Sequence, residues 1–282
     1  MIKKMIILCI TIIFVVCAVI GYGFYRATKT PSNNTNAFLS SKIDPSKRVV
    51  VLMGDSLTHG TVGFNYVDAL AKDTDLNNFI FINEGINSQL AYNLLNKVDN
   101  VVKTKPNDIF ILIGTNDCKA SLSDAEYQRY NKLWKLPVKP TKEWFANNLQ
   151  DLIEKLKSQT SARITLISIP PLGEKTDSIP FKKSVEYSQS IKDISQQKNV
   201  GYIGFNEVLA DELMKNANKK VSEYKLDLGS MYGGILLHYV LLQSWDDISD
   251  KRGLQFLVDN IHLNNRGGNI LITKIKERLL SK

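Results

Sequence analysis

Four short stretches hold the residues whose types could do chemistry together. They are Gly54-Asp55-Ser56-Leu57, Asn83-Glu84-Gly85-Ile86-Asn87-Ser88, Gly114-Thr115-Asn116-Asp117 and Asp259-Asn260-Ile261-His262. They offer a hydroxyl (Ser56), a glycine whose backbone N–H a reactant can approach closely (Gly85), a carboxamide donor (Asn116), and an imidazole (His262) preceded at three residues by a carboxylate (Asp259). A serine held where a buried strand turns into a helix sits on a rigid base near a helix N-terminus, a place that favours developing negative charge. Taken alone, Asp55 and Ser56 also read as caps of the helix that follows.

The elements that must position these residues follow from the hydrophobic pattern. Strands are expected at Val49–Met53, Phe79–Asn83, Asp108–Ile113, Arg163–Ile169 and Val200–Phe205, each a short, almost continuous apolar run. Helices are expected over about 62–73, 88–98, 141–158, 181–197 and 266–280. The third is clearest, with Trp144, Phe145, Leu149, Leu152, Ile153 and Leu156 in one stripe. Alternating strands and helices, with strands apolar on both faces, imply a five-stranded, mainly parallel sheet covered on both sides. The first three stretches then follow the first three strands, and ligands of such sheets bind outside the carboxyl ends. Two longer segments, about 118–140 and 214–258, interrupt the alternation. The second contains the apolar run Met231–Leu242, which either covers a pocket or packs as extra core.

With these blocks in this order, the chain resembles the SGNH/GDSL serine esterases and acylhydrolases over about residues 48–280. That family is named for a Ser, a Gly, an Asn and a His, here Ser56, Gly85, Asn116 and His262. The resemblance implies a three-layer α/β/α, flavodoxin-like sandwich and cleavage of carboxylic esters, of lipid acyl or carbohydrate O-acetyl groups, without metal or organic cofactor. A serine hydroxyl needs a base to take its proton; histidine is the side-chain type that titrates near neutrality, so His262 is the expected base. Asp259 is expected to hold the imidazole in the productive tautomer. The Ser56 N–H, the Gly85 N–H and the Asn116 amide are expected to bind the oxyanion. His59 is too close along one turn to serve as base but is placed to line the pocket. His238 reads as a local histidine, Asp55 and Asp117 as supports of their turns, and Cys118 as a buried thiol. A non-catalytic surface binding module on the same fold is the alternative function.

The N-terminus is of another kind. Met5 to Tyr25 is 21 residues without a charge, between Lys4 and Arg26. As a helix it would reach about 31 Å, enough to cross a hydrocarbon core. Ala18-Val19-Ile20-Gly21 and Gly21-Tyr22-Gly23 are only poor cleavage sites, so residues 1–26 are expected as an uncleaved signal anchor rather than a cleaved signal peptide. Lys3 and Lys4 favour an N-in orientation, although Arg26 and Lys29 oppose it. The expected arrangement is a single membrane span with residues 48–282 as a hydrolase domain outside the cytoplasm, secretion being the alternative. The polar segment 27–47 reads as a linker.

Net charge is +8, but residues 1–48 carry seven basic residues against Asp44, a net +6, which leaves +2 for the rest. That distribution argues against a nucleic-acid partner. Three scattered histidines, and three cysteines of which two lie in the apolar N-terminus, make neither a metal site nor a disulfide framework.

Overall fold

In the computed structural model, which describes residues 2–215, 223–224 and 228–281, the apolar runs pair side by side in one sheet. In chain order the elements are α1 (Ile2–Thr28), α2 (Thr35–Leu39), β1 (Arg48–Gly54), α3 (Ser56–His59), α4 (Tyr66–Ala71), β2 (Phe79–Gly85), α5 (Ala91–Leu94), α6 (Val98–Lys103), β3 (Asp108–Leu112), α7 (Thr115–Ala120), α8 (Asp124–Trp134), α9 (Lys142–Gln159), β4 (Arg163–Ile167), α10 (Ile179–Gln197), β5 (Gly201–Ile203), α11 (Phe205–Lys215), α12 (Leu228–Tyr239), α13 (Trp245–Lys251) and α14 (Asn265–Leu280). The strand order is β2-β1-β3-β4-β5, with every neighbouring pair parallel.

Side chains along β1 alternate between two cores. Val49, Val51 and Met53 face one layer, where Leu94 of α5, Val98 of α6, Leu152 of α9 and Ile191 of α10 pack. Val50 and Leu52 face the other, with Leu70 of α4, Leu209 of α11 and Ile275 of α14. This is the expected α/β/α layering, and the continuous apolar strands are its cause: both faces of each central strand are buried. The chain winds outward from β1 to β2 and then crosses back to β3. A crevice therefore opens at the carboxyl ends of β1 and β3, where α3 and α7 begin.

Three expectations shift. The helix expected from 62 begins at Tyr66, because the Asn65 side chain accepts the Asp68 N–H and caps the helix there. The single helix expected over 88–98 is α5, a 3₁₀ turn at Leu95–Lys97 and α6. The interruption at 118–140 is mostly helical, in α7 and α8; α8 buries only Glu126 and Tyr130, so its sequence carries little apolar signal. Of the 214–258 segment, residues 216–222 and 225–227 lie outside the described residues, as do 1 and 282 at the chain ends.

Helix α1 is long and apolar enough to cross a membrane, and most of its length is exposed. Its last turns differ, with Gly23 and Ala27 buried. The polar stretch after it is pinned to the edge of the sheet. Asn83 N–H donates to the Asn33 carbonyl at 3.0 Å, Thr35 N–H donates to Glu84 Oε1 at 2.9 Å, and Phe38 is buried in the core beneath.

Candidate active site

Strand β1 ends at Gly54 because nothing larger fits there. A Cβ would stand 2.5 Å from the Leu112 carbonyl and 2.2 Å from Thr58 Oγ1. Asp55 then caps α3, its Oδ1 accepting the Leu57 N–H at 2.9 Å, and Ser56 becomes the first residue of that helix, whose N–H the helix leaves unpaired. Ser56 Oγ lies 2.8 Å from His262 Nε2. His262 Nδ1 lies 2.8 Å from Asp259 Oδ2 and 3.0 Å from Oδ1. With the Nδ1 proton directed at the carboxylate, Nε2 is left to accept the serine proton. Asp259 and His262 are both buried, and the carboxylate also accepts the His262 and Ile261 backbone N–H groups. Burial would raise the Asp259 carboxyl, but the charge of His262 and these hydrogen bonds outweigh it and hold it below the usual carboxylate range.

The loop that carries Asp259 and His262 is held from a distance. Glu174, buried after β4, accepts the backbone N–H groups of Gln255 (2.5 Å), Phe256 (2.7 Å) and Leu257 (2.8 Å). Gly173 N–H donates to the Asn260 carbonyl at 2.8 Å, and Val258 and His262 close the loop backbone to backbone at 2.7 Å. Sequence reasoning does not find Glu174, because its partners are main-chain groups more than 80 residues away. A lone glutamate after an apolar strand carries no sign of them.

Asn116, the second residue of α7, is fixed at both ends of its amide. Oδ1 accepts the hydroxyl of buried Tyr130 at 2.6 Å, and Nδ2 donates to the Gln89 carbonyl at 2.8 Å. One Nδ2 proton remains, and Asn116 lines the same cavity as Ser56 and His262.

Gly85 does not reach that cavity. Its N–H donates to Asn83 Oδ1 at 2.9 Å, and a Cβ there would meet His59 N at 2.2 Å and the Thr58 carbonyl carbon at 2.5 Å. It is glycine because α3 lies against it. The residue after β2 that does line the cavity is Ser88, held at φ 64°. Its carbonyl accepts the Trp134 indole N–H at 2.7 Å, and its own N–H has no acceptor among the described residues. A left-handed serine leaves no signal in a sequence, whereas a glycine three residues earlier does.

The other candidates stand apart. His59 does not line the cavity; its Nδ1 lies 2.8 Å from Thr61 Oγ1, and burial pushes its imidazole down to about 4. His238 stacks on Trp245 at 3.9 Å between ring centres. Cys118 is in the core, where burial pushes its thiol up. Asp55 and Asp117 are both fully buried. Burial raises Asp55 to about 7 and Asp117 to about 8 against the backbone N–H groups of Leu57 and Ala91 that each accepts. Among the described residues, no group of three or more His, Cys, Asp or Glu side chains could hold a metal ion.

The cavity has a volume of about 640 Å³ and two kinds of wall. One is apolar and includes Phe24 and Ala27 from the end of α1, Val62, and Leu228, Met231 and Ile235 of α12, so the apolar run of the insertion covers the pocket. The other is charged and carries Lys119, Glu126, Arg129 and Lys132 of α7 and α8.

The sequence pattern of the GDSL-like lipase/acylhydrolase family matches residues 52–269. No curated protein sequence matches the chain. Among solved structures, the chain is similar to the acetyl xylan esterase AlAXEase, at 18% identity and a TM-score of 0.58, covering 82% of this chain and 100% of that one. It is likewise similar to a catalytic mutant of Axe2, an acetylxylan esterase from Geobacillus stearothermophilus, at 15% identity and a TM-score of 0.59, covering 86% and 98%. At these identities the likeness is one of fold.

Proposed function

The chain belongs to the GDSL-like lipase/acylhydrolase family, a family of ester-hydrolysing enzymes, and from that premise we propose a serine hydrolase that works through an acyl-enzyme on Ser56. The observation that carries this reading is the continuous chain from Ser56 Oγ to His262 Nε2 at 2.8 Å and from His262 Nδ1 to Asp259 at 2.8 Å, beside a cavity.

In this mechanism His262 takes the Ser56 proton as Oγ attacks the ester carbonyl carbon. The carbonyl oxygen becomes an oxyanion, bound by the Ser56 N–H, the Asn116 amide and the N–H of Ser88 in place of Gly85. Collapse expels the alcohol, which receives the proton from His262. Water then attacks the acyl-serine with His262 as base again, releasing the carboxylic acid and restoring Ser56. Asp259 stabilises the imidazolium formed in both steps.

The folded domain, which includes α2 on the edge of the sheet, is tethered by α1 and lies outside the cytoplasm, a placement supported by Lys3 and Lys4 ahead of the span. The structural neighbours named above are esterases of acetylated xylan. A cavity of about 640 Å³ with an apolar wall exceeds what an acetyl group fills and favours longer acyl groups. A fluorophosphonate probe tests the reading. Labelling of Ser56 that vanishes in Ser56→Ala supports it, and a folded protein that takes no label is instead the binding module on this fold.

A further inference from the structure

Inside the catalytic cavity three charged side chains meet without a hydrogen bond. Lys119 Nζ and Arg129 NH1 each stand 3.8 Å from Glu126 Oε2, and Glu126 Oε2 is buried with no hydrogen-bond partner. The Lys119 side chain is only 6% exposed and that of Glu126 9%. Two cations thus share one carboxylate, in ion pairs longer than a hydrogen bond. A buried ammonium without a hydrogen-bond acceptor is costly, and burial lowers Lys119 to about 8. An anionic group on a ligand would supply the missing acceptor.

The facing wall has its own origin. It is built where the membrane-spanning helix ends: Phe24 and Ala27 of α1 line the cavity beside Met231 and Ile235 of α12. The Ala27 carbonyl accepts both Thr61 Oγ1 (2.6 Å) and Asn87 Nδ2 (2.9 Å), tying the helix end to two loops of the site. The Arg26 guanidinium lies over the Tyr239 ring at 4.5 Å, and Tyr239 donates to the Thr61 carbonyl. The uncharged run of α1 ends at Tyr25, so the cavity lies within a turn of the point where the helix leaves the hydrocarbon.

We propose that the substrate is an anionic amphiphile drawn from the bilayer that holds the enzyme, its acyl chain against the α1–α12 wall and its anionic group on Lys119 and Arg129. This rests on the esterase reading above. The chemistry recognised is a phosphate or carboxylate on the alcohol side of a fatty ester, as in an anionic glycerolipid, and a neutral acetylated carbohydrate would leave both cations with only their shared Glu126 carboxylate.

The test uses the full chain in mixed vesicles of equimolar phosphatidylglycerol and phosphatidylcholine with identical acyl chains, so that both lipids compete at one surface. Released deacylated products of each lipid are counted by mass spectrometry. The expected wild-type preference for phosphatidylglycerol is at least tenfold. Arg129→Gln and Lys119→Met should each bring it below threefold, and Arg129→Lys should keep most of it, which a merely structural role for Arg129 would not produce. Should Lys119→Met fail to fold, Arg129→Gln carries the test, its side chain being a third exposed. Equal turnover of the two lipids by the wild type overturns the anion subsite. Turnover of acetylated xylo-oligosaccharide with neither lipid cleaved overturns the amphiphile. Both of those failures leave Ser56 labelled by fluorophosphonate, whereas loss of labelling and of all ester turnover counts against the esterase reading itself.

Discussion

The proposed nucleophile and base are legible in the sequence because Ser56 follows the first strand and the Asp259–His262 pair precedes the last helix, in the order of the family's blocks. The third oxyanion donor we propose, Ser88, is not, since what it offers is a backbone N–H and a backbone angle. Two substitutions separate the glycine from the serine. Gly85→Ala would drive a Cβ to 2.2 Å from His59 N, so it should cost about 3 kcal/mol or more of stability, read as a lowered thermal midpoint. Ser88→Gly keeps the N–H and removes the strain of φ 64°, so activity should persist while stability changes by no more than about 1 kcal/mol in either direction. Loss of activity with a stable fold in Ser88→Gly would count against Ser88 as the donor. Asn116→Ala should lower kcat a hundredfold to a thousandfold, or about 2.7–4 kcal/mol of transition-state stabilisation. Tyr130→Phe, which frees the Asn116 amide to rotate, should lower kcat by roughly tenfold with little change in KM.

Asp55 makes a pH argument at the same scale. Its Oδ1 accepts the Leu57 N–H, but its buried Oδ2 has no partner; the charges nearest it are those of His262 and Lys119, which favour its ionised form, and of buried Asp117, which the two carboxyls mutually oppose. Unfolded, the group ionises near 3.8; folded, near 7. Between those values the folded protein keeps a proton that the unfolded chain releases. The stabilisation is thus whole below about 4 and is lost as pH rises to about 7, at about 1.4 kcal/mol per pH unit. A carboxamide in place of this carboxyl would mimic the protonated acid at every pH. Asp55→Asn should therefore match the wild type in thermal midpoint near pH 4 and exceed it at pH 8, by at most about 4 kcal/mol in stability. Parallel pH curves for the two proteins would refute this assignment.

At the scale of elements, all five strands are legible in place, because a strand buried on both faces must be apolar throughout, but their ends are not: β5 stops at Ile203, and Phe205, expected in the strand, begins α11. Helices α7 and α8 read as an interruption, because the six buried residues of α7 are mostly polar and α8 buries only Glu126 and Tyr130, so neither shows an apolar stripe. The loop from Gln255 to His262 reads only as the place of two residues. What gives it shape is Glu174, whose carboxylate gathers three consecutive N–H groups just ahead of Asp259. Removing that acceptor orphans buried donors at about 1–3 kcal/mol each, partly offset by water. Glu174→Ala should accordingly lower stability by about 3 kcal/mol. The larger mark should be on catalysis, since His262 Nε2 must stay within 2.8 Å of Ser56 Oγ. A displacement of about 1 Å costs up to a hundredfold in rate. A stopped-flow measurement of acylation, with KM near the wild-type value and kcat reduced tenfold to a hundredfold, is the expected result. An unchanged kcat would mean that the backbone pairs of the loop suffice without Glu174.

At the scale of the whole molecule, composition separates an apolar N-terminus from a folded body and makes the polar residues between them look like a tether. Polarity is a poor guide there, because those residues pair through their backbone. Asn33 and Thr35 add hydrogen bonds along β2, and Phe38 fills the core. Two truncations divide what each part contributes. A chain starting at Lys29 loses α1, including Phe24 and Ala27, which line the cavity, and the carbonyl that holds Thr61 and Asn87. It retains α2 and should fold. Its turnover of nitrophenyl acetate should stay within about threefold of the full chain, while KM for long-chain nitrophenyl esters rises about tenfold, the loss expected when an acyl chain gives up roughly 50 Å² of apolar contact at about 25 cal/mol/Å². A chain starting at Ser40 also loses Phe38 and the N–H that satisfies Glu84. Burial of a phenylalanine stabilises by about 2–3 kcal/mol, and an orphaned buried acceptor adds at least about 1, so this fragment should be about 3 kcal/mol less stable than the one starting at Lys29. Urea midpoints of the two fragments check this directly. Equal midpoints would return residues 29–39 to the role of a tether and place the start of the folded unit at β1.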